Sequence, residues 1–522
     1  MTNTRCCIHV ISCCLLVASL HADVKLPAIF GNEMVIQRET QAPIWGWAEP
    51  GEKVGIKTSW GASATTTAND DGKWSVRINT PEAGGPHIIT VRGNNTIELS
   101  DVLAGEVWFA SGQSNMQMTV ADAWENAREI KNAKNYPTIR LFDIKRTPSN
   151  QPAEDVTGTW KTCSPDSVKH FSAAAYYFGK KLHRELDVPI GLILASWGAT
   201  SIESWTERDA QLNDPVVKTI ISHLDKADAN YDEAKAQERH AMLVARYEKK
   251  LAEYTENGTQ GRKPRMPAQP RRPNARQAYP GNLYNGMVRP VVPFAIRGVI
   301  WYQGESNTKR AGHYEVSLQR LIKTWRKDWG QGDFPFYFVQ LPNFRAPWKN
   351  PMEFDDWPVV RQAFLNTVKS TPNTGMAITI DVGHISNIHP GNKIAVGERL
   401  AAVALRKTYG QKDHAWTGPY IIGGKIEGDK AIITFENGNS PLAVRKGKKL
   451  IGFALADEHG DVVRAEATIQ GENAVIVSSP KVKKPVSVLY AWANNPLGAN
   501  LMNKAGLPAS PFLYGPMPQK HP

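Results

Sequence analysis

Four segments of the sequence carry residue types that can perform nucleophilic catalysis. Ser114 lies in GQSN at 112–115, and the other segments are Gly198, QGESN at 303–307 and His389. A serine hydroxyl becomes a nucleophile when a nearby base takes its proton, and histidine is the side chain that most often serves as this base. We therefore predict acyl transfer, with Ser114 as the nucleophile and His389 as its base.

Each of these residues also has a purely structural interpretation. Serine is favoured at helix caps, Gly198 suits a turn, and His389 precedes Pro390 in a segment of loop composition. The nucleophile elbow G-x-S-x-G of lipases does not apply, because Met116 stands two positions after the serine. The case for an enzyme therefore depends on where the four segments lie in the fold.

All four segments follow apolar runs that are typical of buried strands. Such strands, alternating with amphipathic helices, indicate a mostly parallel sheet covered on both faces. Open sheets of this kind bind ligands at the carboxyl ends of their strands, so the four segments are predicted to meet at one edge. The strand candidates are 106–110, 138–144, 189–197, 296–302, 334–340 and 375–381, and the helix candidates are 173–186, 314–328, 357–370 and 391–409.

An acyl-transfer site also needs hydrogen-bond donors for the oxyanion that forms on the attacked carbonyl. The backbone N–H of Ser114 at a helix start and the N–H of Gly198 are candidates, since glycine lets the backbone approach a substrate closely. The side-chain amides of Gln303 and Asn307 are further candidates. The alternative for these two amides is that they simply satisfy loop backbone.

The 522 residues are too many for one ordinary core and predict two to four domains. Residues 23–104 contain short alternating runs separated by turn signals, which favour a small β-sandwich. We assign 105–409 to the α/β domain and 410–516, which returns to β texture, to a second β domain. Within the α/β domain, 207–278 is an insertion with a charged helix and a basic, proline-rich loop. We favour a solvated insertion over a basic surface that binds a polyanion.

Composition and targeting signals restrict the class of protein. The formal charge of +12 permits an anionic partner, but no nucleic-acid-binding module accompanies it, so we expect no nucleic-acid binding. Residues 1–22 have the features of an export signal, with Arg5, an apolar run and Ala22 before the predicted cleavage point, and no other segment is apolar enough to span a membrane. Only Cys163 remains in the mature chain, which excludes an internal disulfide and a cysteine metal cluster.

Longer motifs resemble one known family. GQSNM, LYNGM, RGVIWYQGESN and IHPGNK, together with LPAIFGNEMVIQ, PIWGWAEPGEKV and AWANNPLGANL, are similar to the sialate O-acetylesterases among the SGNH hydrolases. The resemblance spans nearly the whole mature chain. It implies a flavodoxin-like SGNH core with a parallel sheet, flanked by N-terminal and C-terminal β-sandwich-like domains. It also implies hydrolysis of O-acetyl esters on sugars without a metal or another cofactor.

The resemblance carries site roles onto residues of this chain. Ser114 matches the family nucleophile and His389 the family base. The residues that match the oxyanion-hole and substrate-binding blocks are Asn115, Gly198, Gln303, Gly304, Glu305 and Asn307.

One departure from the family pattern concerns the third member of the triad. SGNH enzymes commonly place an aspartate two or three residues before the histidine, where this chain has Asn387 and Ser386. Asp381, at the end of the preceding strand, is our candidate for the missing acid. Glu305 and a serine–histidine dyad helped by a backbone carbonyl are the alternatives. Loss of the acid lowers turnover by orders of magnitude in triad hydrolases.

Two functions follow from these observations. The first is an exported carbohydrate O-acetylesterase that acts on sialic acid or on an acetylated polysaccharide such as xylan. The alternative is a carbohydrate-binding protein on the same fold that has lost turnover. Asn387 and Ser386 favour this alternative, and the sixteen tryptophans would suit sugar stacking, although most are expected in the core.

Overall fold

The amino-terminal region consists mainly of antiparallel strands. The computed structural model describes residues 23–259 and 261–519, so the predicted export signal at 1–22 lies outside the described residues. Alternate residues of the strand at 73–79, such as Trp74 and Ile78, are buried while their neighbours face solvent, which is the period-two pattern that the sequence predicted. The strands are β1 (Val35–Gln37), β2 (Gln41–Trp47), β3 (Lys53–Thr58), β4 (Ser63–Thr67), β5 (Lys73–Asn79), β6 (Gly84–Arg92) and β7 (Thr96–Gly112).

Strand β7 continues without a break across the predicted domain boundary at 104/105. Its first half pairs antiparallel with β6, and its second half forms part of the central sheet. The fully buried Glu106 accepts hydrogen bonds from Arg38 and Arg297 at 2.6 Å each, and from Tyr409 at 3.1 Å. Burial alone would raise the pKa of Glu106, but the two guanidinium groups lower it below its usual value. This cluster therefore joins the amino-terminal strands to the core.

The central region alternates strands and helices as predicted. In chain order its elements are α1 (Ser114–Gln117), α2 (Asn126–Asn132), β8 (Ile139–Asp143), β9 (Trp160–Thr162), α3 (Pro165–Val168), α4 (Ala173–Leu186), β10 (Ile190–Ser196), α5 (Pro215–Ala229), α6 (Glu233–Glu256), β11 (Gly298–Tyr302), α7 (Tyr314–Trp329), β12 (Phe336–Val339), α8 (Asp356–Ser370), β13 (Thr374–Ala377) and α9 (Lys393–Lys407). Short helical turns that bear on the site lie at Val120–Asp122, Ile202–Trp205 and Glu305–His313.

The central sheet has the order β13-β12-β11-β7-β10-β8-β9 and is parallel except for β9 at one edge. The prediction of a mixed α/β protein with a mostly parallel central sheet is confirmed. Two neighbouring residues of β7 show that both faces are covered. Trp108 packs edge-on against Phe178 of α4, and Phe109 packs against Trp325 of α7. Because successive side chains of a strand point to opposite faces, α4 and α7 lie on opposite sides of the sheet.

One predicted strand is shorter than expected. The run 375–381 forms a strand only to Ala377, because its neighbour β12 ends at Val339, directly opposite Ala377. Beyond that point no strand is available for pairing. The chain instead forms the irregular segment 378–392, which reaches the end of the sheet and contains His389.

The carboxyl-terminal region forms two four-stranded antiparallel sheets and a two-stranded one. Phe435 and Phe512, one from each larger sheet, pack with ring centroids 5.7 Å apart, so the sheets share a core. The strands are β14 (Tyr420–Glu427), β15 (Lys430–Glu436), β16 (Leu442–Val444), β17 (Phe453–Asp457), β18 (Val462–Arg464), β19 (Glu466–Gln470), β20 (Ala474–Ser478), β21 (Pro485–Tyr490), β22 (Leu501–Asn503) and β23 (Phe512–Tyr514).

The insertion contains the predicted charged helix. The α6 helix begins after Asp232, whose side chain accepts the N–H of Lys235, and it buries none of its residues. Residues 262–272, which are basic and proline-rich, form neither helix nor strand. Across the described ranges, no helix combines the length and apolar character needed to cross a bilayer.

The buried side chain of Arg361 helps to connect the core to the carboxyl-terminal region. The Arg361 side chain is fully buried on α8 and donates to four backbone carbonyls on both sides of this junction. Burial lowers the pKa of Arg361 to about 9. The acceptors, at 2.6–2.9 Å, are the carbonyls of Leu341, Pro342, Ala493 and Asn494.

We predict that Arg361→Met lowers the free energy of unfolding by about 3 kcal/mol or more, because several buried carbonyls lose their donors at about 1–3 kcal/mol each. Urea unfolding followed by tryptophan fluorescence measures this loss. The matched control is Arg77→Met, since Arg77 is exposed and donates to a single carbonyl. Equal unfolding midpoints for the two variants would contradict the structural role of Arg361.

Candidate active site

Ser114 is the first residue of α1, and only Gln113 separates it from the end of β7. The turn between them requires Gly112, which has φ +140° and whose added Cβ would lie 2.2 Å from the Tyr302 carbonyl oxygen. The side chain of Ser114 does not cap the helix; its hydroxyl oxygen lies 2.8 Å from Nε2 of His389. The structure therefore pairs this serine with the predicted base.

His389 lies in segment 378–392, just before α9. Its backbone N–H donates to Oδ1 of Asn387 at 2.9 Å. This bond helps to fix the conformation of the backbone from Asn387 to His389. Partial burial lowers the pKa of His389, and the positive charge of Lys393 lowers it further. The imidazole is therefore neutral over a wider pH range than an exposed histidine, as a general base requires.

The predicted acid Asp381 does not meet His389. Its two oxygens form a bidentate ion pair with Arg399 of α9, at 2.6 and 2.9 Å, and Arg399 also donates to the Ile378 carbonyl. Within the described parts of the chain, no carboxylate oxygen lies within 4.0 Å of a His389 ring nitrogen. Asp381 thus anchors the segment that carries His389, and sequence reasoning missed Arg399 as its partner.

Glu305, the alternative acid, is hydrogen-bonded to Asn115, the residue after Ser114, rather than to His389. Its Oε1 accepts from Nδ2 of Asn115 at 2.6 Å, while Oε2 is buried without a hydrogen-bond partner among the described residues. Burial raises the pKa of this carboxyl group. Asn115 and Glu305 were predicted site residues, and the structure joins them directly to each other.

The same polar cluster contains Lys393, which sequence reasoning missed. Its ammonium group donates to Oδ1 of Asn115 at 2.6 Å and to the Pro390 carbonyl at 2.9 Å. Burial lowers the pKa of Lys393 to about 7, although Glu305 acts in the opposite direction. The sequence did offer one signal for this lysine, because it lies four residues after His389, near the start of the predicted helix 391–409. The lysine thus links the helix of Ser114 to the loop of His389.

Gly198 lies beside Ser114. A Cβ built on Gly198 would lie 3.2 Å from Cβ of Ser114, so a larger residue would crowd the serine. The Gly198 N–H, a predicted oxyanion donor, donates to Oε1 of Gln117 at 2.7 Å. Gln117 was not predicted, because nothing in its local sequence shows that α1 turns its side chain toward the end of β10.

The amides of Gln303 and Asn307 bind groups of the protein itself. Nε2 of Gln303 donates to the Thr200 carbonyl and to Oδ1 of Asn307, at 3.2 and 2.7 Å. Nδ2 of Asn307 donates to both oxygens of the buried Glu203, at 3.2 and 3.0 Å. These bonds hold the turn after β10 next to the turn after β11. The structural alternative, in which these amides satisfy loop backbone, is met by the Thr200 carbonyl, whereas the other partners are side chains.

Gly304 takes part in the site through its backbone. It has φ +149°, and its N–H donates to Oε1 of Gln113 at 3.4 Å, as does the N–H of Ser306 at 3.2 Å. Gln113 immediately precedes Ser114, so these bonds connect the turn after β11 to the start of α1.

Comparison with known proteins gives one consistent family. A family model described as "Carbohydrate esterase, sialic acid-specific acetylesterase" matches residues 104–242 and 273–406. Human sialate O-acetylesterase is 25% identical over 531 residues, covering 94% of this chain and 92% of the relative. The mouse protein of the same name is 26% identical over 543 residues, covering 94% of each chain. The crystal structure of a carbohydrate acetylesterase from Xanthomonas citri is 32% identical, with a TM-score of 0.77, over 94% of this chain and 99% of that one.

The pairing of Asp381 with Arg399 predicts that Asp381→Asn keeps Ser114 reactive. We expect the rate of Ser114 labelling by a fluorophosphonate probe to stay within about tenfold, rather than fall by about 10⁴-fold as when a triad aspartate is replaced. Labelling kinetics followed by mass spectrometry measure this rate, and His389→Ala serves as the unreactive reference. Loss of labelling in a folded Asp381→Asn protein would mean that this acid does act on His389.

The charge of Lys393 predicts a shift in the pH dependence of labelling. His389 must be neutral to act as a base, so labelling rises with pH through the pKa of His389 and then levels off. Lys393→Met removes a positive charge, which raises the pKa of His389 and moves the rising limb to higher pH. Rates measured from about pH 4 to about pH 8 bracket the ordinary histidine pKa near 6.5. Lys131→Met, at an exposed position on α2, is the control and should leave the limb in place. An unshifted limb, or a shift to lower pH, would disprove this role of Lys393.

Proposed function

This chain belongs to the family of carbohydrate esterases described as sialic acid-specific acetylesterases, and we propose that it hydrolyses acetyl esters on sugars with Ser114 as nucleophile. The observation that carries this proposal is the 2.8 Å contact between the Ser114 hydroxyl and Nε2 of His389. Family membership was predicted from the motifs and is confirmed. The serine mechanism and the sugar are proposed.

In the first half of the reaction, Nε2 of His389 takes the proton of the Ser114 hydroxyl as the oxygen attacks the acetyl carbonyl carbon. The C=O electron pair moves onto the carbonyl oxygen, giving a tetrahedral oxyanion. When the C=O bond re-forms, the bond to the sugar oxygen breaks, and the imidazolium returns its proton to that oxygen. The products are a free sugar hydroxyl and an acetyl ester on Ser114.

The second half repeats the sequence with water as the nucleophile. His389 takes a proton from water, the hydroxide attacks the acetyl-serine carbonyl, and collapse of the oxyanion releases acetic acid. The proton on His389 goes to the departing Ser114 oxygen, which restores the starting state.

We propose that two backbone donors stabilise the oxyanion. The Ser114 N–H lies at the first position of α1, where a helix offers no internal acceptor. Gly198 lies next to Ser114, and its N–H donates to Oε1 of Gln117 in the structure. In the proposed mechanism the acetyl oxygen takes the place of the Gln117 oxygen. The amides of Gln303 and Asn307 act indirectly, by holding the turns that place Gly198.

We propose a serine–histidine dyad without a carboxylate partner. The bidentate pairing of Asp381 with Arg399 and the position of Glu305 behind Ser114 support this form. Asn387, which stands where many SGNH enzymes place the acid, accepts the backbone N–H of His389 and so positions the histidine through its main chain.

The lack of a carboxylate beside His389 among the described residues supports a second candidate function, a carbohydrate-binding protein with little turnover. The described residues place no acid near His389 to stabilise the imidazolium. The close contact between Ser114 and His389 favours the esterase.

Acetate release from O-acetylated sialic acid, acetylated xylan and p-nitrophenyl acetate tests the function. We expect the protein to release acetate, and we expect Ser114→Ala and His389→Ala each to lower kcat by about 10³-fold or more, since such residues act as a unit. Ser386→Ala is the matched control, because Ser386 lies in the same loop but contacts His384 instead of the dyad. It should retain activity within about twofold, as exposed positions usually do.

Two outcomes would contradict the proposal in different ways. Full activity in Ser114→Ala would exclude this serine as the nucleophile. A folded protein that is inert on all three esters yet binds acetylated xylan would favour the carbohydrate-binding alternative.

A further inference from the structure

One tryptophan differs from all others in its exposure. The sixteen tryptophans all lie in the described ranges, and Trp124 alone is exposed, at 61% of its full surface. The rest are buried or half-buried. Single exposed apolar side chains are common on protein surfaces, so the exposure of Trp124 gains meaning only from the residues beside it.

The backbone of Trp124 is hydrogen-bonded to the segment that carries His389. It follows the turn Val120–Asp122, ten residues after Ser114 in the sequence. Its N–H donates to the carbonyl of Gly391 at 3.0 Å, and Gly391 is two residues after His389. The neighbouring Ala123 is buried, which anchors this stretch to the core. The position of Trp124 is therefore fixed relative to His389.

The indole ring rests on Gly391. A Cβ on Gly391 would lie 2.4 Å from both Cδ1 and Nε1 of Trp124, so only glycine leaves room for the ring. Gly391 does not have a positive φ, and glycine serves here to provide space rather than an unusual conformation. The pyrrole part of the indole thus packs on the loop of His389, while most of the ring remains open to solvent.

The hydrogen bonding of its indole N–H also distinguishes Trp124. Within the described residues the indole N–H of Trp124 has no hydrogen-bond acceptor, whereas those of Trp108, Trp301 and Trp325 donate to protein oxygens. A fixed aromatic face with a free N–H suits a ligand that has both C–H surfaces and hydroxyl groups. A sugar ring has this combination, and its C–H bonds complement the negative face of an indole.

We infer that Trp124 is a stacking platform for the sugar ring that carries the acetyl ester at Ser114. This inference rests on the proposed esterase function and assigns a specificity-determining role to a residue that does not take part in proton transfer. The platform favours acetyl esters on pyranose-type rings over acetyl esters of small acyclic alcohols.

The test compares an acetylated sugar with ethyl acetate, which has the same acyl group and no ring to stack. We expect Trp124→Ala to lower kcat/KM for acetylated xylo-oligosaccharides by about tenfold or more, in the range typical of lost apolar substrate contacts. The rate on ethyl acetate should stay within about twofold. Trp124→Phe keeps an aromatic face and should recover part of the loss on the oligosaccharide.

Two further variants separate stacking from general damage. Gly391→Ala retains the indole but displaces it, and it should reproduce the sugar-selective loss. Phe354→Ala is the matched control, since Phe354 is an exposed aromatic ring, at 50%, outside the dyad segments; it should change neither rate. Binding of acetylated oligosaccharide to Ser114→Ala, with and without Trp124→Ala, provides a readout that does not depend on turnover.

The outcomes distinguish this inference from the proposed function. If the unsubstituted protein hydrolyses neither of these esters and is also inert on O-acetylated sialic acid and p-nitrophenyl acetate, the esterase proposal itself fails. If it is active and Trp124→Ala lowers both rates equally, Trp124 only shapes the site, and stacking is refuted. If it is active and Trp124→Ala changes neither rate nor binding, the exposed ring serves another contact, such as a second copy of the chain, and stacking is again refuted.

Discussion

The contact between Ser114 and His389 joins two residues that are 275 positions apart in the chain. It can form only because β7 and β13 end at the same edge of one parallel sheet, with β11 and β12 between them. The serine depends on the turn at Gly112, and the histidine depends on the irregular segment that begins where β12 no longer offers a pairing edge. The arrangement of the central strands therefore determines whether this protein has a reactive serine.

A second constraint is the buried polar cluster behind the dyad. Lys393 bonds to Asn115 and to the Pro390 carbonyl, and Asn115 bonds to Glu305. Polar groups buried in this way are costly unless they are paired, so the pairing specifies one arrangement of the segments that carry them. The three segments joined are the start of α1, the turn after β11 and the loop before α9. Precise placement of the dyad thus depends on groups that never contact the acyl carbon.

Sequence reasoning identified the components whose signals are local. Buried strand runs, helix periodicity and the strand-end positions of Ser114 and His389 predicted the mixed α/β fold and placed these two residues at one sheet edge. Partnerships across the fold were not accessible, because a carboxylate such as Asp381 looks the same in sequence whether it faces a histidine or Arg399. The amides of Gln303 and Asn307 were equally ambiguous, since Glu203 and Thr200 become their partners only in three dimensions. Gln117 and Lys393 were missed for the same reason.

Among the described residues no acid lies beside His389, and Lys393 lies close to it; both features act on the proposed base. Both favour neutral imidazole, which keeps His389 ready to accept a proton at lower pH, but both leave the imidazolium less stabilised in the transition state. Binding energy used to orient the ester lowers the barrier for a dyad as it does for a full triad. An aromatic platform at Trp124, fixed to the histidine loop through Gly391, is placed to supply that orientation. In the two proposals together, Trp124 orients the sugar ring and His389 transfers the proton, and the segment that carries both Gly391 and His389 connects these two roles.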